Sequence, residues 1–197
     1  MKRVYISIAA LLLCGQMTFA QAPANRTAST IAADVLAQMP AAEQERYNKV
    51  LKELSESGEG AVLELVKMIN APGKGSNASV DYALSGLSHF VMAKGLENER
   101  LAISKAYMKA LDMTSERETK AFILRQLQMI GKDECVEKIA GYLHDKELSG
   151  PAARVLCAIS SEASGNALIA ALKQRMGTPE TQKNVIMAIA EAEVKGA

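Results

Sequence analysis

Three short stretches decide the fold: Arg125–Ile130 (RQLQMI), Arg154–Ile159 (RVLCAI) and Asn184–Ile189 (NVIMAI). They align at offsets of 29 and 30 residues. Each carries apolar side chains at the three- and four-residue spacing that gathers them on one helical face. Ile139 and Leu143 map onto Leu168 and Leu172 at an offset of 29, so both helices of a unit repeat. A period of this length in helical sequence predicts stacked αα-hairpins, each burying its apolar face only against its neighbours.

The same spacing runs outward on both sides. Tyr47, Val50, Leu51 and Leu54 mark one face; Val62, Leu65, Val66 and Ile69 a second; Val80, Ala83, Leu84, Leu87 and Val91 a third. Ile103, Tyr107 and Ala110 continue the series toward the repeats, and no stretch alternates as a strand does. An earlier unit has YALSGL (Tyr82–Leu87) in place of RQLQMI, spaced more widely because its helices are longer. The expected fold is all-α: an α-solenoid of about four αα-hairpins with one or two extra N-terminal helices. Ser115 with Glu118 is a capping-box pattern, Asp133 and Ser161 are placed to cap the helices after them, and Thr178-Pro179-Glu180 reads as a cap, a first-turn proline and an acid suited to the helix dipole. Gly58, Gly60, Gly95, Gly131 and Gly177 sit at the seams, where a left-handed residue ends a helix.

The N-terminus reads differently. Lys2 and Arg3 precede an uncharged apolar run from Val4 to Cys14, and Thr18-Phe19-Ala20 supplies small residues for cleavage before Gln21. This is a secretory signal-peptide pattern. It divides the chain into a signal peptide (1–20), a loose leader (21–29) and a helical repeat domain (30–197), in a periplasmic or secreted location. Lipoprotein processing at Cys14 is the alternative, but Leu13 stands where that motif wants a small residue. No later segment is apolar for long enough to cross a bilayer.

Composition narrows the function classes. The 197 residues carry 23 basic and 22 acidic side chains, which argues against nucleic acid as a partner and against a polybasic membrane patch. The search for chemistry finds little. Lys74 in the loop APGKGSNA (Ala71–Ala78) lacks the upstream glycine of a phosphate loop. His89 and His144 lie on different helices, and neither has a second His or Cys one turn away. Ser88 beside His89 points elsewhere on its helix. Glu97 and Glu99, and Glu116 and Glu118, fall in helix first turns where acids favour the dipole. The aromatic residues are spread about one per helix, as core fillers are. No catalytic, metal-binding or cofactor-binding residue is expected, and no cofactor.

Two resemblances add to this reading. Phe122–Tyr142 (FILRQLQMIGKDECVEKIAGY) and Ala152–Leu172 (AARVLCAISSEASGNALIAAL) resemble HEAT-like repeats of the phycobilin-lyase type. That likeness covers roughly Gly60 to Ala192; Asp133 follows one turn, and Ser160 or Ser161 stands in its place in the next. Asn25–Ala41, Val80–Gly95 and Glu118–Gly131 are similar to the N-terminal region of secreted bacterial proteins that continue into a 3-keto-disaccharide hydrolase domain. The resemblance implies an accessory module whose catalytic β-sandwich is absent from this chain.

The leading expectation is therefore an exported, non-catalytic helical-repeat scaffold, with the accessory module as the alternative. Its partner is a protein or a missing C-terminal domain. If the second helices of the hairpins line the inner wall, Arg117, Lys120, Arg125 and Arg154 are the contact candidates. Cys135 and Cys157 fall at one end of the same repeat, where a disulfide and two small buried thiols both remain open. The last helix is apolar almost all round, so Val185, Ile186, Met187 and Ile189 are candidates for an interface, including one between copies of the chain.

Overall fold

The structure is a computed structural model and describes residues 26–193. The expected signal peptide, Cys14 and the first part of the leader lie outside the described residues. The described part is all-α, with ten α-helices and no strand. In chain order these are α1 (Ala28–Ala37), α2 (Gln44–Glu56), α3 (Glu59–Lys67), α4 (Ala78–Phe90), α5 (Glu97–Met113) and α6 (Arg117–Ile130). A 3-10 turn (Asp133–Cys135) leads into α7 (Val136–Ala140), followed by α8 (Ser149–Ile159), α9 (Glu162–Gln174) and α10 (Pro179–Glu191).

Local chemistry sets most helix starts. Ser161 and Thr178 cap α9 and α10 as expected, and each closes a reciprocal capping box with the hydroxyl three residues on, Ser164 and Thr181. Thr27 accepts from Thr30 N–H, so helix begins at Ala28, inside the stretch expected to be a loose leader. Two expected caps are absent. At α6, Glu116 takes the N-cap position without a side-chain bond, and its own N–H donates to Thr114 Oγ1 (3.1 Å), so Ser115 and Glu118 form no box. Asp133 lies within the 3-10 turn rather than before it. Among the seam glycines, Gly177 is left-handed (φ 81°), whereas Gly131 ends α6 in an extended conformation (φ −66°) that any residue adopts. Ser160 and Arg175 take the left-handed position after α8 and α9 without being glycine.

Helices pack with their second neighbours, which sorts them into two rows. One row runs α2, α4, α6, α8 and α10; the other runs α1, α3 and α5, then the 3-10 turn with α7, and α9. Members of successive pairs, such as α5 with α6 and α7 with α8, meet between the rows, where the core lies. Leu54, Leu65, Leu84, Ile103, Leu124, Leu127, Ile139, Leu156 and Leu168 are fully buried there. Each such side chain contributes about 1.5–3 kcal/mol by leaving water. Tyr107 is buried with them and satisfies its hydroxyl on the Leu84 carbonyl (3.0 Å) and Ser88 Oγ (3.1 Å). α7 is shorter than the spacing Val136–Leu143 suggested; residues after Ala140 turn instead, although Leu143 still reaches the core.

Candidate functional site

Adjacent helices of a row lie about 8–10 Å apart, so repeat-equivalent residues on α6 and α8 form neighbouring positions on one surface. Arg125 and Arg154 are such a pair, and both are exposed. Arg125 stands at a groove of about 110 Å³ where α4 meets α6, lined by Asn70, Asn77, Asp81, Glu118 and Phe122 among others. Its guanidinium lies 5.7 Å from the centre of the Phe122 ring, a cation–π distance. Burial raises the Asp81 carboxyl above its ordinary pKa, and the charge of Arg125 works against that rise. Between the same two helices the amide of buried Gln126 donates to Ser85 Oγ at 3.3 Å.

Arg117 and Lys120 are not part of this surface. Arg117 donates to both carboxylate oxygens of Asp145 (3.1 and 3.3 Å) and lies 3.3 Å from Glu147. Lys120 sits 5.5 Å from the centre of the Tyr142 ring. Both therefore hold the turn between α7 and α8. Of the four basic candidates, only Arg125 and Arg154 combine exposure with the absence of a carboxylate ion pair among the described residues.

The groove's other residues were not singled out from the sequence. Asn70 and Asn77 bracket the loop APGKGS and clasp it: Asn70 N–H donates to Asn77 Oδ1 (2.7 Å), and Asn77 Nδ2 donates to the Asn70 carbonyl (3.0 Å). An asparagine at each end of a glycine- and proline-rich loop was a readable sign of such a clasp. Asp81 offered no comparable signal, because it and Arg125, 44 residues apart in the chain, are brought to one groove only by tertiary packing.

No protein-family model, curated protein or solved structure matches this chain. Its function must be read from its own residues.

The remaining candidates fall in separate places. Cys135 and Cys157 are free thiols, not a disulfide. Cys135 is buried within reach of Gly131, at the end of α6, whereas Cys157 is half-buried beside Glu191 of α10, so the two face different neighbours. Burial pushes the Cys135 thiol up to about 11. Burial also raises Cys157, with Glu191 adding to the rise. In α10, Val185 and Ile189 are buried, but Ile186 and Met187 are 52% and 59% exposed.

His89 is exposed, while the neighbouring Ser88 is buried with its hydroxyl on Leu84 O and Tyr107, so the two share no site. His144 Nε2 meets Gln174 Oε1 (3.1 Å), which ties α9 to the turn before α8. A depression of about 290 Å³ lies where the start of α9 meets the end of α10, but the Ser161 and Ser164 hydroxyls in it are engaged in capping α9. Among the described residues, no group of three or more His, Cys, Asp or Glu side chains is placed to hold a metal ion.

Proposed function

We propose that this chain is an exported helical-repeat scaffold, built as a short solenoid, that binds a protein partner across the exposed surface of α4, α6 and α8. The observation that carries this reading is the placement of Arg125 and Arg154. They are repeat-equivalent, exposed and on packed neighbouring helices, and the groove beside Arg125 is lined by an aromatic ring, two carboxylates (Asp81 and Glu118) and two asparagines. Two cations at neighbouring helix positions suit an extended acidic segment laid across the row, with the groove taking a polar side chain or peptide group. Export is supported by the Lys2–Ala20 pattern.

The test is site-specific photo-crosslinking from positions neighbouring Arg125 and Arg154, with the protein in its native compartment. A single discrete adduct is expected from both positions, lost on Arg125→Glu with Arg154→Glu and retained on Arg117→Glu. Adducts that ignore the charge reversal, or none at either position, would overturn the reading.

A further inference from the structure

We propose that α10 is a self-association surface, on which a second copy of this chain lays its own α10 antiparallel about a twofold axis. The inference is independent of the reading of Arg125 and Arg154. It starts from one stripe followed through the repeats. Leu124 and Leu127 in α6 are equivalent to Ala153 and Leu156 in α8 at an offset of 29, and to Lys183 and Ile186 in α10 at a further 30.

In α8 this stripe is the seam that receives the next repeat: Ser149, one turn before Ala153, accepts a hydrogen bond from Asn184 of α10 at 3.0 Å. In α6 it plays the same part, since Lys120, one turn before Leu124, covers the Tyr142 ring just ahead of α8. Leu124, Leu127 and Leu156 on this stripe have no exposed area. Ile186 has the same place in its repeat, yet half of it is exposed, and Met187 beside it is more exposed still. Nothing among the described residues covers them.

Charge on α10 selects the occupant. Lys183, 3.7 Å from Glu180 one turn before it, lies on the N-terminal side of Ile186 and Met187, so that end is near neutral, while the acids Glu191 and Glu193 make the C-terminal end negative. A twofold axis near Met187 brings each Lys183 against the acidic end of the other α10, with Ile186 and Met187 meeting in the middle. A parallel pairing would set Lys183 against Lys183 and align the helix dipoles unfavourably. An isologous contact of this kind closes at two copies. One helix pair buries less than the roughly 1,600 Å² of a standard stable interface, so the dimer is weak.

Sedimentation velocity and light scattering on the chain purified after export, across a wide range of concentration, test this. The mass is expected to rise from one copy to two and stop. Ile186→Glu changes an exposed residue, so it should leave circular dichroism and thermal melting unchanged while keeping the protein monomeric throughout. Lys183→Glu should weaken the dimer at least tenfold, and adding Glu191→Lys and Glu193→Lys to it should restore association. A monomer at every concentration, a dimer that survives Ile186→Glu, a mass that grows past two copies, or a charge swap that restores nothing would each overturn the proposal.

Discussion

The guanidinium of Arg100, in the first turn of α5, donates to the carbonyl of Ile130, the last residue of α6, at 2.7 Å. It also pairs with Glu134 of the 3-10 turn at 2.6 Å and approaches Ser104 Oγ at 3.3 Å, with only 14% of the side chain exposed. One cation thus closes the open end of α6, where a helix leaves its last carbonyls unpaired, and joins the two rows to the start of the next repeat.

Arg100→Met keeps the aliphatic stem but strands the Ile130 carbonyl and the Glu134 carboxylate. A loss of about 2–3 kcal/mol is expected, the cost of leaving partly buried polar and charged groups unpaired. Urea denaturation of Arg100→Met, Glu134→Gln and the double variant should show coupling above about 0.5 kcal/mol. Additive effects would mean that Arg100 acts through packing alone.

Asp145 organises the turn before α8: its Oδ1 accepts from the N–H groups of Glu147 and Leu148, both at 2.9 Å. Burial pushes this carboxyl up, but those two N–H bonds and Arg117 outweigh it and hold the pKa below the ordinary value. A carboxyl lowered on folding stabilises above its unfolded pKa, about 3.9, and loses that contribution as pH falls through the lowered folded value. Asp145→Asn retains the acceptor oxygen and removes the charge. Its destabilisation should stay below about 1 kcal/mol at pH 7, because the Arg117 pair is open to solvent, and should shrink toward zero as the medium is acidified below pH 4. Thermal melting at a series of pH values, wild type against variant, measures the difference directly; a gap that widened in acid would contradict the assignment.

The two thiols should be distinguishable in solution. Cys135 is buried with its pKa pushed up to about 11, so it is both inaccessible and protonated at neutral pH. Cys157 is half-buried and should alkylate slowly in the folded protein, ahead of Cys135, which should label only when denaturant opens the chain. Mass spectrometry of iodoacetamide-treated protein, with and without urea, resolves the order. A peptide carrying Cys135 linked to Cys157 under non-reducing conditions would show that the free thiols of this structure are not the state of the purified protein.

The helices were legible because their code is local. Apolar spacing placed Leu84, Ile103, Leu127 and Leu156 in the core, and the hydroxyls of Ser161 and Thr178 announced the starts of α9 and α10 within a single turn of chain. Where two local signals competed, as at Ser115 and Glu116, the pattern alone picked the wrong residue by one position.

What the sequence by itself determined is the set of faces: which side of each helix is apolar, and that the pattern returns every 29 or 30 residues. The tertiary structure decided what each face meets. Arg117 and Arg125 are two basic residues on one helix, yet Asp145 and Glu147 come within reach of the first, while Phe122 and the Asp81 groove receive the second. Leu156 and Ile186 are the same letter class at the same register, yet one is fully buried and the other stands half exposed. Helical periodicity arises from 3.6 residues per turn within one segment, whereas a side chain's burial and partners depend on segments tens of residues away, which no single turn of sequence records.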